Sequence, residues 1–357
     1  MAKLKGIKKI AKSDFMSYGL VTLAFLIITI LSNADVLGKN TKGLLIPVCC
    51  YIVMAVSLNL TVGIMGELSL GHAGFMSIGA FSGVIMSMSL ADTVESTTVR
   101  LILGIIVGAV FAAVFGLIIG IPVLRLHGDY LAIVTLAFGE IIKDFINCLI
   151  VGVDSNGLHV IFNFKGDKSV ADLNLLENGK TIIKGAQGAT GIEKISTFTA
   201  GFVLIIIALI IVQNLIRSRA GRAIISCRDN RIAAESVGIN VMKYKLSAFI
   251  VSAGIAGAAG ALYGMNYSSF VSSKFDFNTS ILILVFVVLG GLGNIMGSVI
   301  AATVLYILPE ALREFSDYRM LIYAIILIIV MVVTNNPQTK ALRERIIGKF
   351  RKGNSNE

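Results

Sequence analysis

Long apolar runs dominate this sequence and limit it to one fold class. A helix needs about 20 predominantly apolar residues to cross a bilayer. The runs lack the alternating pattern of outer-membrane barrel strands. Hydrophobic residues make up 56% of the chain and charged residues 15%, against about 45–50% and about 25% in soluble domains. The sequence therefore predicts an all-α, polytopic integral membrane protein with about ten transmembrane helices. The predicted spans are 18–31, 44–63, 68–90, 101–121, 130–151, 197–216, 246–266, 280–295, 297–312 and 319–334.

The basic residues predict how these spans are oriented. When ten spans alternate, both termini and the loop 217–245 fall on one side, and these segments are rich in Lys and Arg. Such an excess marks the cytoplasmic side of membrane proteins. We therefore expect a multi-pass protein of the plasma membrane with its N- and C-termini in the cytoplasm. The excess of basic residues on the cytoplasmic side accounts for much of the net charge of +10. Membrane lipid is therefore an expected partner and nucleic acid is not.

The chain is expected to form a single transmembrane domain, 1–357. Its predicted membrane core is 17–336. A polar extracytoplasmic loop, 152–196, interrupts the core on one side, and the basic loop 217–245 interrupts it on the other. A basic cytoplasmic tail follows at 337–357.

Motifs for catalysis, nucleotide binding and metal binding are missing from the sequence. Gly179-Lys180-Thr181 resembles the end of a phosphate-binding loop, but Asn174 stands where the pattern requires its first glycine. The four cysteines show no CxxC spacing, and the three histidines are scattered. The sequence therefore predicts no enzyme, no catalytic residue, no cofactor, no metal and no ATPase within this chain.

Two glycine-rich segments interrupt the apolar runs, one in each half of the chain. Val62–Ala80 carries five glycines together with Glu67 and His72, and Leu289–Ser298 is a second such segment. Small residues allow helices to pack closely. Dense glycines can also break a helix beside a cavity, and paired breaks in two halves are typical of a transport site. Both interpretations, tight packing and a transport path, stay open at this point.

Ionisable residues within apolar spans are costly and are usually paired or functional. Glu140 and Lys143 are three residues apart, so they can neutralise each other on one helix face. A role for Glu140 in the translocation path is the alternative. Glu67 lies near a predicted span end, where it would meet either the membrane interface or the path.

The loop Arg217–Lys245 is the longest basic interruption, with seven Lys or Arg and two acids. Asn230 is placed to cap a short helix and Gly238 to end it. Ala233 and Ala234 would give that helix a small side that fits a groove in a partner. The alternative is a basic loop held by anionic lipid.

Four motifs resemble the permeases of branched-chain amino acid ABC importers, of the LivM type. They are LNLTVGIMGELSLGHAGFMSIGAF, LRLHGDYLAIVTLAFGEII, GRAIISCRDNRIAAESVGINVMKYKLSAFIVSAGIAGAAGALYG and VLGGLGNIMGSVIAA, in the order of that family. The resemblance covers more than half of residues 55–305. It extends only loosely to the first span, the loop 152–196 and the tail.

This resemblance implies a role for each matched segment. Residues 228–238 correspond to a cytoplasmic coupling helix, similar to the EAA loop of ABC permeases, with Ile232 in place of the leading Glu. The implied ATPase-coupling residues are Arg228, Asp229, Asn230, Ala233, Ala234, Glu235 and Gly238. The implied translocation path contains Gly63, Gly66, Glu67, Gly71, His72, Gly74, Glu140, Gly290, Gly291, Gly293 and Asn294.

The same resemblance implies partners and a place in the cell. ABC ATPase subunits would bind at the cytoplasmic face, a second, LivH-type permease would complete the path, and an extracytoplasmic substrate-binding protein would deliver the cargo. The expected location is the plasma (inner) membrane of a prokaryote. Two alternatives stay open: an ABC permease for urea or short amides, and an ion-coupled secondary transporter that uses Glu67, His72, Glu140 and Asp144.

Overall fold

The computed structural model describes residues 18–19, 21–31, 38–126, 128–154, 157–164, 167–168, 170–176, 179–313 and 318–335. The predicted tail 337–357, most of the basic N-terminus and His127 lie outside them. The chain divides into two compact units, residues 1–302 and 303–357. Residues 59–298, which contain the candidate site, belong to the first unit.

The described chain is mostly helical, as the apolar runs predict. The helices are α1 (Val21–Leu31), α2 (Lys39–Asn59), α3 (His72–Ser89), α4 (Thr97–Val123), α5 (Asp129–Asn147), α6 (Phe198–Arg217), α7 (Arg219–Asp229), α8 (Arg231–Ser236), α9 (Val241–Gly264), α10 (Phe277–Gly290), α11 (Ile295–Ala311) and α12 (Arg319–Asn335).

Five helical stretches among the described residues are long and apolar enough to cross a membrane. The predicted number of about ten spans stays a prediction. The five stretches are Lys42–Met65, Thr97–Val123, Phe198–Arg217, Val241–Gly264 and Ser272–Gly290.

Helices α3, α4 and α9 form the closely packed centre of the first unit, and glycines make this approach possible. A Cβ atom at Gly79 of α3 would lie 2.0 Å from the carbonyl oxygen of Gly257 in α9. A Cβ atom at Gly260 would lie 1.9 Å from the carbonyl oxygen of Met76. Only residues without a side chain allow backbones to meet at such distances, as in small-residue packing of membrane helices.

The all-α prediction is wrong in one region, because a small antiparallel sheet forms between α5 and α10. Its strands are β1 (Leu149–Asp154), β2 (Gly157–Phe162), β3 (Lys180–Lys184), β4 (Ala189–Thr190) and β5 (Ser269–Phe270), in the spatial order β2-β1-β3-β4-β5. Ile150 of β1 lies opposite Ile161 of β2 and Lys184 of β3. We call this sheet and its loops the cap.

The predicted span 130–151 consequently ends too late. Helix α5 stops at Asn147 and the remaining apolar residues enter β1, where Ile150 and Val151 are buried. A continuous apolar run does not separate a helix end from a buried strand, so the sequence could not reveal this boundary.

Candidate functional site

The first glycine-rich segment breaks the chain between α2 and α3. Helix α2 widens into a π-turn at Leu60–Met65, Gly66 adopts a left-handed backbone (φ 78°), and α3 begins only at His72. The NH of Glu67 donates to the carbonyl of Thr61 across this turn (3.2 Å). The predicted span 68–90 therefore starts four residues later than expected, and the predicted helix break is confirmed.

The second glycine-rich segment breaks the chain between α10 and α11. Gly291 and Gly293 both have positive φ angles, 95° and 80°. A Cβ atom at Gly297 would lie 1.8 Å from the carbonyl oxygen of Gly290, so the turn closes on itself. Helix α10 begins at Phe277 and α11 at Ile295, whereas the sequence predicted spans from 280 and 297.

These two breaks are in direct contact. A Cβ atom at Gly63 would lie only 2.3 Å from the backbone nitrogen of Gly293. The side chain of Asn59 bridges them, because its Oδ1 accepts from the NH of Gly293 (2.8 Å) and its Nδ2 donates to Ser298 Oγ (2.9 Å). Asn59 is fully buried. We call this region, formed by residues 59–66 and 290–298, the glycine junction.

Asn59 is a residue that the sequence prediction missed. The available signal was an amide side chain inside a long apolar run, where a buried polar group needs partners. Its partners lie 234 and 239 residues away along the chain. A single sequence gives no means of assigning such pairs.

Arg228 connects the basic loop to the glycine junction. Its Nη1 donates to the carbonyl oxygen of Gly63 (2.9 Å), and its Cγ lies 2.4 Å from where a Cβ of Gly66 would be. Its Nε and Nη2 also donate to Oδ1 of Asp229 (3.1 and 2.9 Å). The guanidinium therefore holds a backbone carbonyl of the first break and a carboxylate of the loop at the same time.

A buried ion pair makes a second connection between the same regions. Glu67 pairs with Lys245 of α9, and their side chains are 13% and 10% exposed. Lys245 was not among the predicted site residues. Because both charges are compensated by each other, the pair holds the start of α9 against the first break.

The segment predicted to couple with an ATPase forms two short helices, α7 and α8. Asn230 Oδ1 accepts from the NH of Ala233 (3.0 Å), so the predicted N-cap is confirmed. Gly238 follows α8 with φ 82°, and its NH donates to the carbonyl of Glu235. Arg231 Nε donates to Glu235 Oε1 (2.9 Å) along one exposed side of α8.

The predicted orientation of Ala234 is wrong. Ala234 is buried with Cys227 and Val241, and Ile239 packs against this cluster. The alanine thus fills the chain's own core beneath α8, where burial also raises the pKa of the Cys227 thiol. Ala233 is exposed, as predicted.

Two exposed apolar side chains beside this cluster were missed. Ile232 is 80% exposed and Val237 is 74% exposed. Ile232 lies within α8 and Val237 directly follows it, and the opposite side of this helix is fixed to the protein through Ala234. Large apolar side chains that project from such a helix are typical anchors for a partner's groove.

Other predicted path residues have packing roles. A Cβ atom at Gly71 would lie 2.0 Å from the carbonyl oxygen of Thr135, and one at Gly74 would lie 3.1 Å from Cα of Gly139. These two glycines bring α3 against α5. For them the structure favours the tight-packing interpretation.

His72 belongs to a buried polar cluster between α2, α3 and α9. Its Nε2 lies 2.7 Å from Ser57 Oγ. Ser57 and Ser252 each donate to the other's backbone carbonyl at 2.7 Å, and Thr61 donates to Ser252 Oγ at 2.8 Å. This hydroxyl network joins α2 to α9, and it includes Thr61 of the first break.

Glu140 pairs with Lys143 on α5, as the helical spacing predicts. Both members belong to the same helix, with side chains 37% and 21% exposed. The charge of Glu140 is therefore compensated within α5, and this ion pair involves no residue of the glycine junction.

Known proteins are similar to this chain over most of its length. Residues 40–331 match the family described as branched-chain amino acid transport system / permease component. The chain is 30% identical over 348 residues to the high-affinity branched-chain amino acid transport system permease protein LivM of Escherichia coli strain K12, covering 92% of this chain and 78% of that protein. No solved structure matches the chain.

Two Salmonella typhimurium proteins are also similar. Identity to its LivM permease is 31% over 302 residues, which covers 79% of this chain and 66% of the length of that relative. Identity to its LivH permease is 29% over 174 residues, covering 47% of this chain and 55% of LivH. The matches to LivM therefore cover more of the chain than the match to LivH does.

Proposed function

The chain belongs to the family of branched-chain amino acid transport system permease components, and from this premise we propose that it is the membrane-spanning permease subunit of an ABC importer. Its cargo is a branched-chain or other hydrophobic amino acid, in line with the names of the relatives. The subunit performs no chemistry on the cargo. Separate ATPase subunits supply the energy, a LivH-type permease completes the path, and an extracytoplasmic binding protein delivers the substrate.

One observation carries this proposal: Arg228 of the basic loop donates to the carbonyl of Gly63, where the two glycine breaks meet. An importer needs a mechanical connection between the surface that contacts its ATPase and the helices that open. The hydrogen bond from Arg228, together with the Glu67–Lys245 pair, supplies such a connection within a single chain.

The ATPase subunit would bind α8 through its exposed side. Ile232 and Val237 project from that side and would enter a groove of the ATPase. Ala234 and Cys227 anchor the other side of α8 to α9. When the ATPase subunits close on ATP, α7 and α8 move with them, and Arg228 transmits that motion to the first break.

The breaks would then act as hinges for the cytoplasmic ends of α2 and α10. Left-handed glycines, such as Gly66 and Gly293, tolerate backbone rotations that other residues resist. Asn59 joins the two hinges, so they would move together. The ten-span topology, the cytoplasmic termini and the prokaryotic plasma membrane complete the proposal.

The ion pairs argue against the ion-coupled alternative. Coupling to an ion gradient requires carboxylates that exchange their counter-ion during transport. Glu67 has Lys245 and Glu140 has Lys143 as a built-in counter-ion. These pairs favour a permease that is driven by ATPase subunits at its cytoplasmic surface over one that is driven by an ion gradient.

Uptake into proteoliposomes tests the proposal. The chain is reconstituted with the second permease, the ATPase subunits and the binding protein, and labelled leucine is followed. We expect uptake only with ATP on the ATPase side, and none when the ATPase carries a mutation that blocks hydrolysis. Uptake that persists without ATP and collapses with an ion gradient would overturn the proposal. Competition by excess urea but not by isoleucine would overturn the assigned cargo.

A further inference from the structure

The outward surface of α5 differs from the membrane-facing surfaces around it. Residues 133, 137, 140, 141 and 144 recur at spacings of three and four, so they share one face of the helix. Ile133 and Ile141 are each 59% exposed, and Ala137 and Asp144 are exposed as well. The side chain of Glu140 is 37% exposed at the centre of this face.

Helix α5 is not one of the five long apolar stretches, and the predicted span 130–151 is what places it in the membrane. In that span Glu140 lies at membrane depth and Asp144 lies about one turn from the helix end. Glu140 is about 16 Å from the start of α5 and about 10 Å from its end, at a rise of 1.5 Å per residue. Exposed ionisable groups at that depth are rare against lipid and almost always face protein or a water-filled cavity. Lys143 compensates one carboxylate, and Asp144 adds a second negative charge.

The exposed face of α4 provides the contrast. Ile102, Ile106, Val110 and Ile118 are each more than half exposed. The only ionisable residue of α4, Arg100, lies at its first turn, where it is buried and pairs with the exposed Glu193. This surface suits lipid tails, and the surface of α5 does not.

The α5 surface continues onto the cap. The Phe145 ring lies 5.2 Å from that of Phe162 in β2, and Phe162 stacks on Phe164 at 5.7 Å. Along β2, Leu158, Val160 and Phe162 are exposed on alternate positions, and Phe164 is 68% exposed. These three β2 side chains lie on one face of the strand and remain more than a third exposed in the described chain. An exposed apolar patch of this kind normally has a partner.

We propose that the outward face of α5 and the apolar row of β2 form one interface, which a second, different membrane-spanning chain covers. Lipid can reach the α5 part alone, and a soluble protein can reach the cap part alone. A second membrane chain with its own extracytoplasmic segment reaches both. It places a cation or hydrogen-bond donors opposite Glu140 and Asp144.

Charge also argues against a second copy of this chain. A two-fold symmetric contact brings the same patch of both subunits together. Because Lys143 compensates Glu140, Asp144 of one copy would then approach Asp144 of the other, and these like charges would repel. The inference rests on the proposed function only in identifying the partner as the second permease subunit.

Photo-crosslinking tests this interface in the assembled complex. The photoreactive amino acid p-benzoyl-phenylalanine replaces Ile141 at membrane depth or Phe164 on the cap, and it replaces Val110 on α4 as the matched control. After irradiation, we expect the first two variants to shift to the combined mass of this chain and the second permease. The Val110 variant should capture lipid and give no such shift. Mass spectrometry of the adduct identifies the captured chain.

Each other outcome overturns the assignment. An adduct of two copies of this chain, capture of the binding protein from position 164, or lipid capture at position 141 would exclude the proposed interface. ATP-driven leucine uptake without a second permease in the adduct would overturn this interface and leave the proposed function standing. Capture of the second permease in a complex whose uptake ignores ATP would uphold the interface and overturn the proposed function.

Discussion

The two glycine breaks look alike in sequence but are held in different ways. The first break is connected to the basic loop by Arg228 and by the Glu67–Lys245 pair. The second break closes on itself through Gly290 and Gly297 and is joined to the first by Asn59. This difference supports the proposed order of motion, in which the first break moves with the basic loop and the second follows through Asn59 and the direct contact between Gly63 and Gly293.

Gly63→Ala should have the largest effect, because it separates the two breaks. The new methyl group would lie 1.9 Å from Asn59 Oδ1 and 2.3 Å from the nitrogen of Gly293. Overpacking typically costs about 1–3 kcal/mol and occasionally more. We expect a lower melting temperature of the purified complex and a loss of uptake. Gly254→Ala is the matched control, because its methyl group would meet its nearest atom at 3.4 Å. Equal stability of the two variants would contradict the close contact.

Asn59→Ala should sever the second break while leaving the first connected to the basic loop. It removes the acceptor for the NH of Gly293 and the donor to Ser298. An unsatisfied buried group costs about 1–3 kcal/mol. We expect substrate uptake to fall while the ATPase subunits still bind the complex. Asn278→Ala is the control, since Asn278 donates to Asp276 on an exposed surface. Unchanged uptake in Asn59→Ala would show that the breaks move independently.

Arg228→Met should weaken the connection between the first break and the loop, because only the Glu67–Lys245 pair then remains. The substitution keeps an apolar stem against Gly66 and removes the donor to the Gly63 carbonyl. A hydrogen bond from a charged group contributes about 1.5–3 kcal/mol, so uptake should fall by about tenfold or more while ATP hydrolysis continues. Arg222→Met is the matched control, because Arg222 is exposed and donates to the carbonyl of Arg217. Equal uptake in both variants would exclude Arg228 as the connection.

Alkylation of Cys227 should give the smallest and most local signal. Burial raises the pKa of this thiol, so less of the reactive thiolate is present near neutral pH than for an exposed cysteine. We expect slow modification by a maleimide in the wild-type complex and faster modification in Arg228→Met, where the loop is less restrained. Peptide mapping separates Cys227 from the other cysteines. Identical rates in the two proteins would mean that Arg228 does not restrain α7.

Local features of this molecule could be predicted from its sequence, and long-range pairs could not. Each of the features that could be predicted depends on residues a few positions apart. They are the two breaks, the helix N-cap Asn230, the end of α8 at Gly238 and the Glu140–Lys143 pair. Arg228 and Gly63 are 165 residues apart, and Lys245 and Glu67 are 178 apart. Nothing in one sequence links such positions.

The sequence also could not show which side chains of the short helix α8 face the protein core. Ala233 and Ala234 are adjacent, and only the packing of Ala234 on Val241 determines which alanine is buried. The sheet within the cap was missed for a related reason, because β1 continues an apolar helix run without a polar boundary. In both cases the deciding information lies in tertiary contacts that override local pattern.

The cap also constrains how the chain is made. Its fifth strand, Ser269–Phe270, pairs with Ala189–Thr190 of β4, but four helices, α6 to α9, lie between them along the chain. The ribosome releases β5 only after it has released all four. The sheet therefore stays unfinished through the synthesis of the basic loop, and its closure marks the moment when the central helices have all emerged.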